Sequence, residues 1–126
     1  MKKTLCFLLS CLMFACASAW AVGQRFDKAT FDSLQKAGKP TLVVVHADWC
    51  PTCRAQEPVL TSLLQKPDLA KLTALEVDFD GQRDVVHSFR ATQQSTLIVF
   101  KGGAEVGRSV GDTSPAGIEA LLKKAL

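Results

Sequence analysis

The run "TLVVVHA" at positions 41–47 constrains this chain more than any other stretch. It is a largely β-branched run without polar alternation, so a strand built from it has to be buried on both faces. Such a strand needs helices on either side, and the flanking segments can supply them. Before it, "RFDKATFDSLQKAGK" reads as a helix capped by Asp27, with Phe26 and Phe31 at the positions where a hydrophobic staple closes. Gly38 ends this helix and Pro40 follows. After the run, Val59, Leu60, Leu63 and Leu64 recur at helical spacing in a second helix ending near Pro67. Pro58 falls inside that helix and predicts a kink, because proline has no N–H to donate and crowds the preceding turn.

The rest of the chain continues the alternation. "LTALEVDFD" reads as a second strand, and Asp80-Gly81 turns into a short helix carrying Val85, Val86 and Phe89. In "STLIVFKGGAEVGRSVG" two strand-like runs flank Gly102-Gly103, a pair suited to the positive φ angles of a tight hairpin. A phosphate cradle at these glycines is disfavoured, since a strand and not a helix start follows them. Ser114-Pro115 opens a last helix, with Ile118, Leu121, Leu122 and Ala125 on its buried face and Lys123 and Lys124 at its negative end. The expected order is helix, strand, helix, strand, helix, hairpin, helix. That order makes an α/β fold, a mixed central sheet flanked by helices.

The first 21 residues read as a cleaved signal peptide and residues 22–126 as the folded domain. "MKK" is a basic start, and "TLCFLLSCLMFACASA" is an uncharged apolar run shorter than the roughly 20 residues of a spanning helix. Cleavage after Ala19 or Ala21 fits the small residues there. The expected location is therefore the periplasm, with lipid anchoring at Cys16 or Cys11 the lesser alternative. Removing the segment takes Lys2 and Lys3 from the 15 basic residues, leaving 13 against 12 acidic ones. A nearly neutral chain without a basic stripe excludes a nucleic-acid footprint. About a hundred residues make one domain with one core, expected to act as a monomer.

Removal also takes Cys6, Cys11 and Cys16, so Cys50 and Cys53 are the cysteines that remain. The pair could be a redox dithiol, part of a metal site or a structural staple. As a staple it would close too small a loop to restrain the unfolded chain. Cys50 follows the C-terminal end of the buried strand, the sheet edge where α/β sites form, and starts the next helix. Unpaired N–H groups at a helix start stabilise a thiolate, and cysteines so placed have pKa values lowered to about 3.5–7.5. Cys53, one turn further, is expected to be deeper and to keep its proton longer. Cys50 would then attack a disulfide and Cys53 resolve the product. Trp49 is read as a shield over the pair. His46 could acidify Cys50 or join both sulfurs on Cu(I) or Zn(II); the plainer reading is a packed histidine. His87 is expected at the surface, and Asp78 and Asp80 fit strand-end and turn chemistry.

The segment "ADWCPTC", with Trp49 before the first cysteine and Pro58 five residues past the second, resembles the active site of the thioredoxin family. "STLIVFKGGAEVGRSVG" resembles that family's closing hairpin. The resemblance implies a thioredoxin-like fold and a thiol-disulfide oxidoreductase that needs no cofactor. It implies catalytic roles for Cys50, Cys53, Trp49, Pro51 and Thr52, and a substrate groove at Gln94, Ser95, Thr96 and Gly111. Three positions depart from the family pattern. Ser95 stands where the family has a cis-proline, and since a non-proline cis bond costs about 2.5–4 kcal/mol, the Gln94–Ser95 bond is expected trans. Val44 takes the place of a buried carboxylate that helps deprotonate the resolving thiol. Pro51-Thr52 replaces Gly-Pro between the cysteines, where residues influence a redox poise spanning about −270 to −120 mV across such proteins. The expected function is periplasmic reduction of protein disulfides, with electrons from a membrane reductase. A periplasmic metal-binding module using both thiolates and His46 is the alternative from another class.

Overall fold

The computed structural model describes residues 22–126; the expected signal peptide, with its cleavage and lipidation positions, lies outside them. The run at 41–47 forms a strand over all but its last residue, β2 (Thr41–His46), in which every residue is buried. Its neighbours are β3 (Thr73–Asp78), parallel to it, and β4 (Thr96–Lys101), antiparallel. β5 (Ala104–Val110) pairs with β4, and a two-residue β1 (Gln24–Arg25) adds a parallel edge to β3. The five-stranded order is β1-β3-β2-β4-β5. The mixed sheet matches the expectation. The edge strand β1 does not feature in it, because two exposed residues carry no periodicity to read.

Alternation along β2 sends side chains into two cores. Leu42 and Val44 join Leu60 and Leu63 of α2 (Pro51–Leu64) and Ile118, Leu121 and Leu122 of α4 (Pro115–Lys123). Val43 and Val45 join the opposite core, against α1 (Lys28–Lys36) and α3 (Arg83–Ser88). There Phe31 meets Phe26, Phe89 and Phe100 with ring centroids 5.1–5.6 Å apart, and the Phe26 contact is the expected staple. Asp27 caps α1 by accepting from the Thr30 N–H at 2.9 Å. α2 stops at Leu64, short of Pro67, and Pro58 sits inside it as expected. Among the described residues no helix is long and apolar enough to cross a membrane.

Gly102 and Gly103 turn β4 into β5 with φ of 58° and 84°, the left-handed pair a two-residue hairpin loop demands. A Cβ at Gly103 would meet nothing within 4 Å. A substitution there tests backbone strain alone, and Gly103→Ala should lower stability by about 1–2 kcal/mol in denaturant unfolding while leaving the activity of the dithiol unchanged.

Candidate active site

β2 ends at His46, and the loop Ala47-Asp48-Trp49 carries the chain to Cys50, the N-cap residue of α2. The Cys50 N–H donates to the Ala47 carbonyl at 3.1 Å, and Pro51 occupies the first helical position. Pro51 has no N–H to leave unpaired and its φ suits a helix start. With this geometry the Cys50 sulfur accepts from the Cys53 N–H at 3.1 Å, in the way a capping oxygen would. The expected placement at the helix start is therefore realised, with the sulfur itself as the cap.

The second half of the site comes from the turn before β4. Ser95 has φ of +61°, uncommon for a residue with a side chain. Its backbone is pinned from three sides. The N–H donates to Val45 of β2 at 2.8 Å, while the carbonyl accepts from the Gly111 N–H at 3.0 Å and from Gln56 Nε2 of α2 at 3.3 Å. So held, its hydroxyl lies 3.1 Å from Cys50 Sγ and 3.2 Å from Cys53 Sγ. The Gln94–Ser95 peptide is trans, as no cis bond occurs among the described residues.

Both thiols are shifted, in opposite directions. Burial opposes the Cys50 thiolate, but hydrogen bonds with Cys53 Sγ, the Ser95 hydroxyl and the N–H groups of Cys53 and Thr52 outweigh it, bringing Cys50 below an ordinary thiol. Burial pushes the Cys53 thiol up, and its bond to the Cys50 sulfur adds to that rise against the opposing Ser95 hydroxyl. Both residues are buried, Cys50 1% and Cys53 2% exposed, so the greater depth expected of Cys53 does not appear in its exposure. The thiol-thiolate asymmetry expected from the sequence is thus present in the geometry.

Other residues stand differently from expectation. Cys50, read as the attacking thiol, is 1% exposed, packed with Ala47, Cys53 and Phe79 under the Ser95 hydroxyl. Contact with a substrate disulfide therefore requires the rim to give way. Trp49 is 56% exposed, with its indole N–H donating to Asp80 at 2.7 Å. It forms part of the surface and is not core filler. Asp80 also takes the turn role expected of it, its N–H donating to Asp78 Oδ1. Of the expected groove residues, Gly111 is exposed and Gln94 half-buried, whereas Ser95 faces the sulfurs. Thr96 is buried, its hydroxyl donating to the Gln93 carbonyl at 2.7 Å. A hydroxyl at the end of a central strand has to be satisfied inside, which removes Thr96 from the groove.

His46 turns away from the metal reading. Its ring nitrogens meet Asp48 at 3.2 Å and Glu57 at 3.7 Å, and among the described residues no group of three His, Cys, Asp or Glu side chains is arranged to hold a metal. His87 is exposed, as expected. Near His46 lies a carboxylate that sequence reasoning did not place. Glu76 pairs in register with Val44 and shares a cleft of about 230 Å³ with Arg25, His46, Asp48 and Asp78. One oxygen accepts from the Val22 N–H at 3.1 Å. Burial raises its pKa, and the charges of Glu57 and Asp48 add to the rise against the His46 charge and the Val22 N–H. Gln56 was also missed. Its Nε2 ties α2 to the Ser95 and Asp112 carbonyls, a role for a polar residue in the middle of a buried helix face that only the assembled fold reveals.

The thioredoxin family model matches residues 22–124. The chain belongs to the thioredoxin family. It is 32% identical over 106 residues to a thioredoxin of Echinococcus granulosus, covering 84% of this chain and 96% of that one. A thioredoxin of Mycolicibacterium smegmatis is 34% identical over 91 residues, covering 71% and 81% of the two chains. Among solved structures, Trxlp from Edwardsiella tarda EIB202 superposes with a TM-score of 0.77 at 43% identity, covering 79% of this chain and 96% of that one. The dithiol of Cys50 and Cys53 is accordingly that of a thioredoxin-family thiol-disulfide oxidoreductase.

Glu76 offers a check on the electrostatics beside the site. A carboxyl whose pKa is raised on folding contributes stability below the unfolded value, about 4.3, and loses it as pH rises through the folded value. In a chain retaining residue 21, where the Val22 nitrogen is an amide, Glu76→Gln should unfold a few degrees higher than wild type at pH 7. The gap should close as the pH falls toward about 4.

Proposed function

We propose that this thioredoxin-family protein works in the periplasm as a reductase of protein disulfides, after loss of residues 1–21. The observation that carries the reductase reading is the unequal pair at the start of α2: Cys50 is poised as the thiolate and Cys53 holds its proton beside it. The Cys50 thiolate attacks one sulfur of a substrate disulfide, and the other substrate sulfur leaves with the bonding electrons and takes up a proton. Cys53 then loses its proton and attacks the Cys50 sulfur of the mixed disulfide. The second substrate thiol departs, and the protein is left as the Cys50–Cys53 disulfide. Two electrons have passed to the substrate, so each turnover needs a donor that returns them.

A membrane-bound dithiol reductase suits the donor role in an oxidising space. A Mycobacterium leprae relative is a bifunctional thioredoxin reductase/thioredoxin, 32% identical over 97 residues. Thus one relative carries a thioredoxin and a named electron source in a single chain. Support for export comes from the basic, apolar and small-residue order of positions 1–21. The oxidising direction is the near variant, and the measured potential decides between the two.

Two experiments test this reading. Residues 22–126 should reduce insulin disulfides with a midpoint in glutathione buffers on the reducing side of the roughly −180 mV of protein disulfide isomerase. Cys50→Ser should abolish turnover, while Cys53→Ser should leave a trapped mixed disulfide. For export, the full chain expressed in a Gram-negative host should be recovered from the periplasmic fraction beginning at Trp20 or Val22. Recovery with Met1 retained in the cytoplasm, or lipidated at Cys16 or Cys11, overturns the proposed processing.

A further inference from the structure

The Ser95 hydroxyl is the only side-chain oxygen hydrogen-bonded to the sulfurs among the described residues, and it reaches both of them. A hydroxyl has one proton to donate and lone pairs to accept with. Placed between two thiols, it can donate to one and accept from the other. The backbone determines which way the chain of bonds runs. The Cys53 N–H donates to Cys50 Sγ, so negative charge is favoured on Cys50. With the charge there, the Ser95 O–H can donate to Cys50 Sγ while its oxygen accepts from the Cys53 S–H, either atom of each pair being a possible donor.

We propose that Ser95 is a catalytic residue of this dithiol, its hydroxyl bridging the Cys53 thiol to the Cys50 thiolate and holding the pair in its singly ionised form. This rests on the reading of Cys50 as nucleophile and extends it to a residue that the sequence assigned to the substrate groove. The hydroxyl also stands where the resolving step needs a path for a proton. When Cys53 Sγ bonds to Cys50 Sγ and the Cys50–substrate bond breaks, the departing substrate sulfur carries off the electron pair. The Cys53 proton has to leave for solvent or that sulfur, and the Ser95 hydroxyl, 3.2 Å away, can relay it, taking that proton on its oxygen as its own proton passes on. Val44, packed in the apolar core, offers no carboxylate for this.

Ser95 is held rigidly enough for the task. Its N–H and carbonyl are tied to β2, α2 and the Gly111 turn, and the residue is 3% exposed. A hydroxyl with fixed direction in a dry site acts without reorganising when the charge forms. The left-handed φ is part of the arrangement, since it is conformationally costly for a side-chain residue and is maintained by the surrounding bonds.

The test uses two variants that both lack the hydroxyl and differ in backbone cost. Ser95→Gly relieves the positive φ, and Ser95→Ala retains it. The pH dependence of Cys50 alkylation by iodoacetamide is followed in each, with unfolding midpoints as a check on the fold. If the hydroxyl acts as proposed, both variants move the alkylation midpoint upward by about one pH unit, a roughly tenfold loss of thiolate below the midpoint. They should do so although their stabilities differ. In a preformed mixed disulfide, both should also release substrate thiol several-fold more slowly. An unchanged alkylation midpoint in Ser95→Gly overturns the proposal, as do midpoints that follow stability and not the loss of the hydroxyl. Alkylation requires no turnover, so failure of the wild type to reduce insulin while these shifts persist would strike the reductase reading and leave the role of Ser95 standing.

Discussion

The arrangement of this protein rests on one contact, the Cys50 sulfur standing as the cap of α2. A cap must accept from N–H groups that have no partner within the helix, and a sulfur in that position is stabilised when it becomes negative. The contact depends on β2 delivering the chain to the right place, on Pro51 starting the helix without an unpaired donor, and on α2 packing Leu60 and Leu63 under the sheet. These supports hold the sulfur where the Cys53 and Thr52 N–H groups favour its charge. The stability of the sheet and the acidity of the site are therefore consequences of the same placement.

Burial works against this thiolate and is nonetheless built into the site. Withdrawing Cys50 from water raises the cost of charging it, and several hydrogen bonds are needed to reverse the sign of the shift. At Cys53 burial dominates, with fewer hydrogen bonds to favour the charge, and the shift goes the other way. The difference between the two positions, more than the absolute acidity of either, separates attack from resolution. The same low-dielectric surroundings strengthen each hydrogen bond that remains, so a single hydroxyl at Ser95 has leverage that it would lack at the surface.

Much of the fold was legible because its periodicities are strong. The unbroken apolar run of β2, the Asp27 cap with its Phe26–Phe31 staple, the Gly102-Gly103 turn and the apolar face of α4 each reflect a local rule that the structure obeys. β1 escaped because two exposed residues acquire strand geometry only by pairing with β3. At the site, the place of Cys50 and its relation to Cys53 were readable from three residues of spacing. Residues whose roles depend on partners far along the chain were not. Thr96 looked like a groove residue and is buried; Glu76 and Gln56 attracted no notice and meet the site from other elements.

By itself the sequence determined the elements, their order, the pair of sulfurs and the one of them that starts a helix, because these follow from side-chain pattern within a turn or two of backbone. Tertiary structure alone decided the depth of Cys50, the turn of His46 toward Asp48 and Glu57, and the meeting of Ser95 with both sulfurs across more than 40 residues of chain. The reason is the range of the interactions. Capping and hydrophobic periodicity are local, whereas a hydroxyl becomes a partner of a thiolate only when strand pairing and helix packing have already brought them within a hydrogen bond.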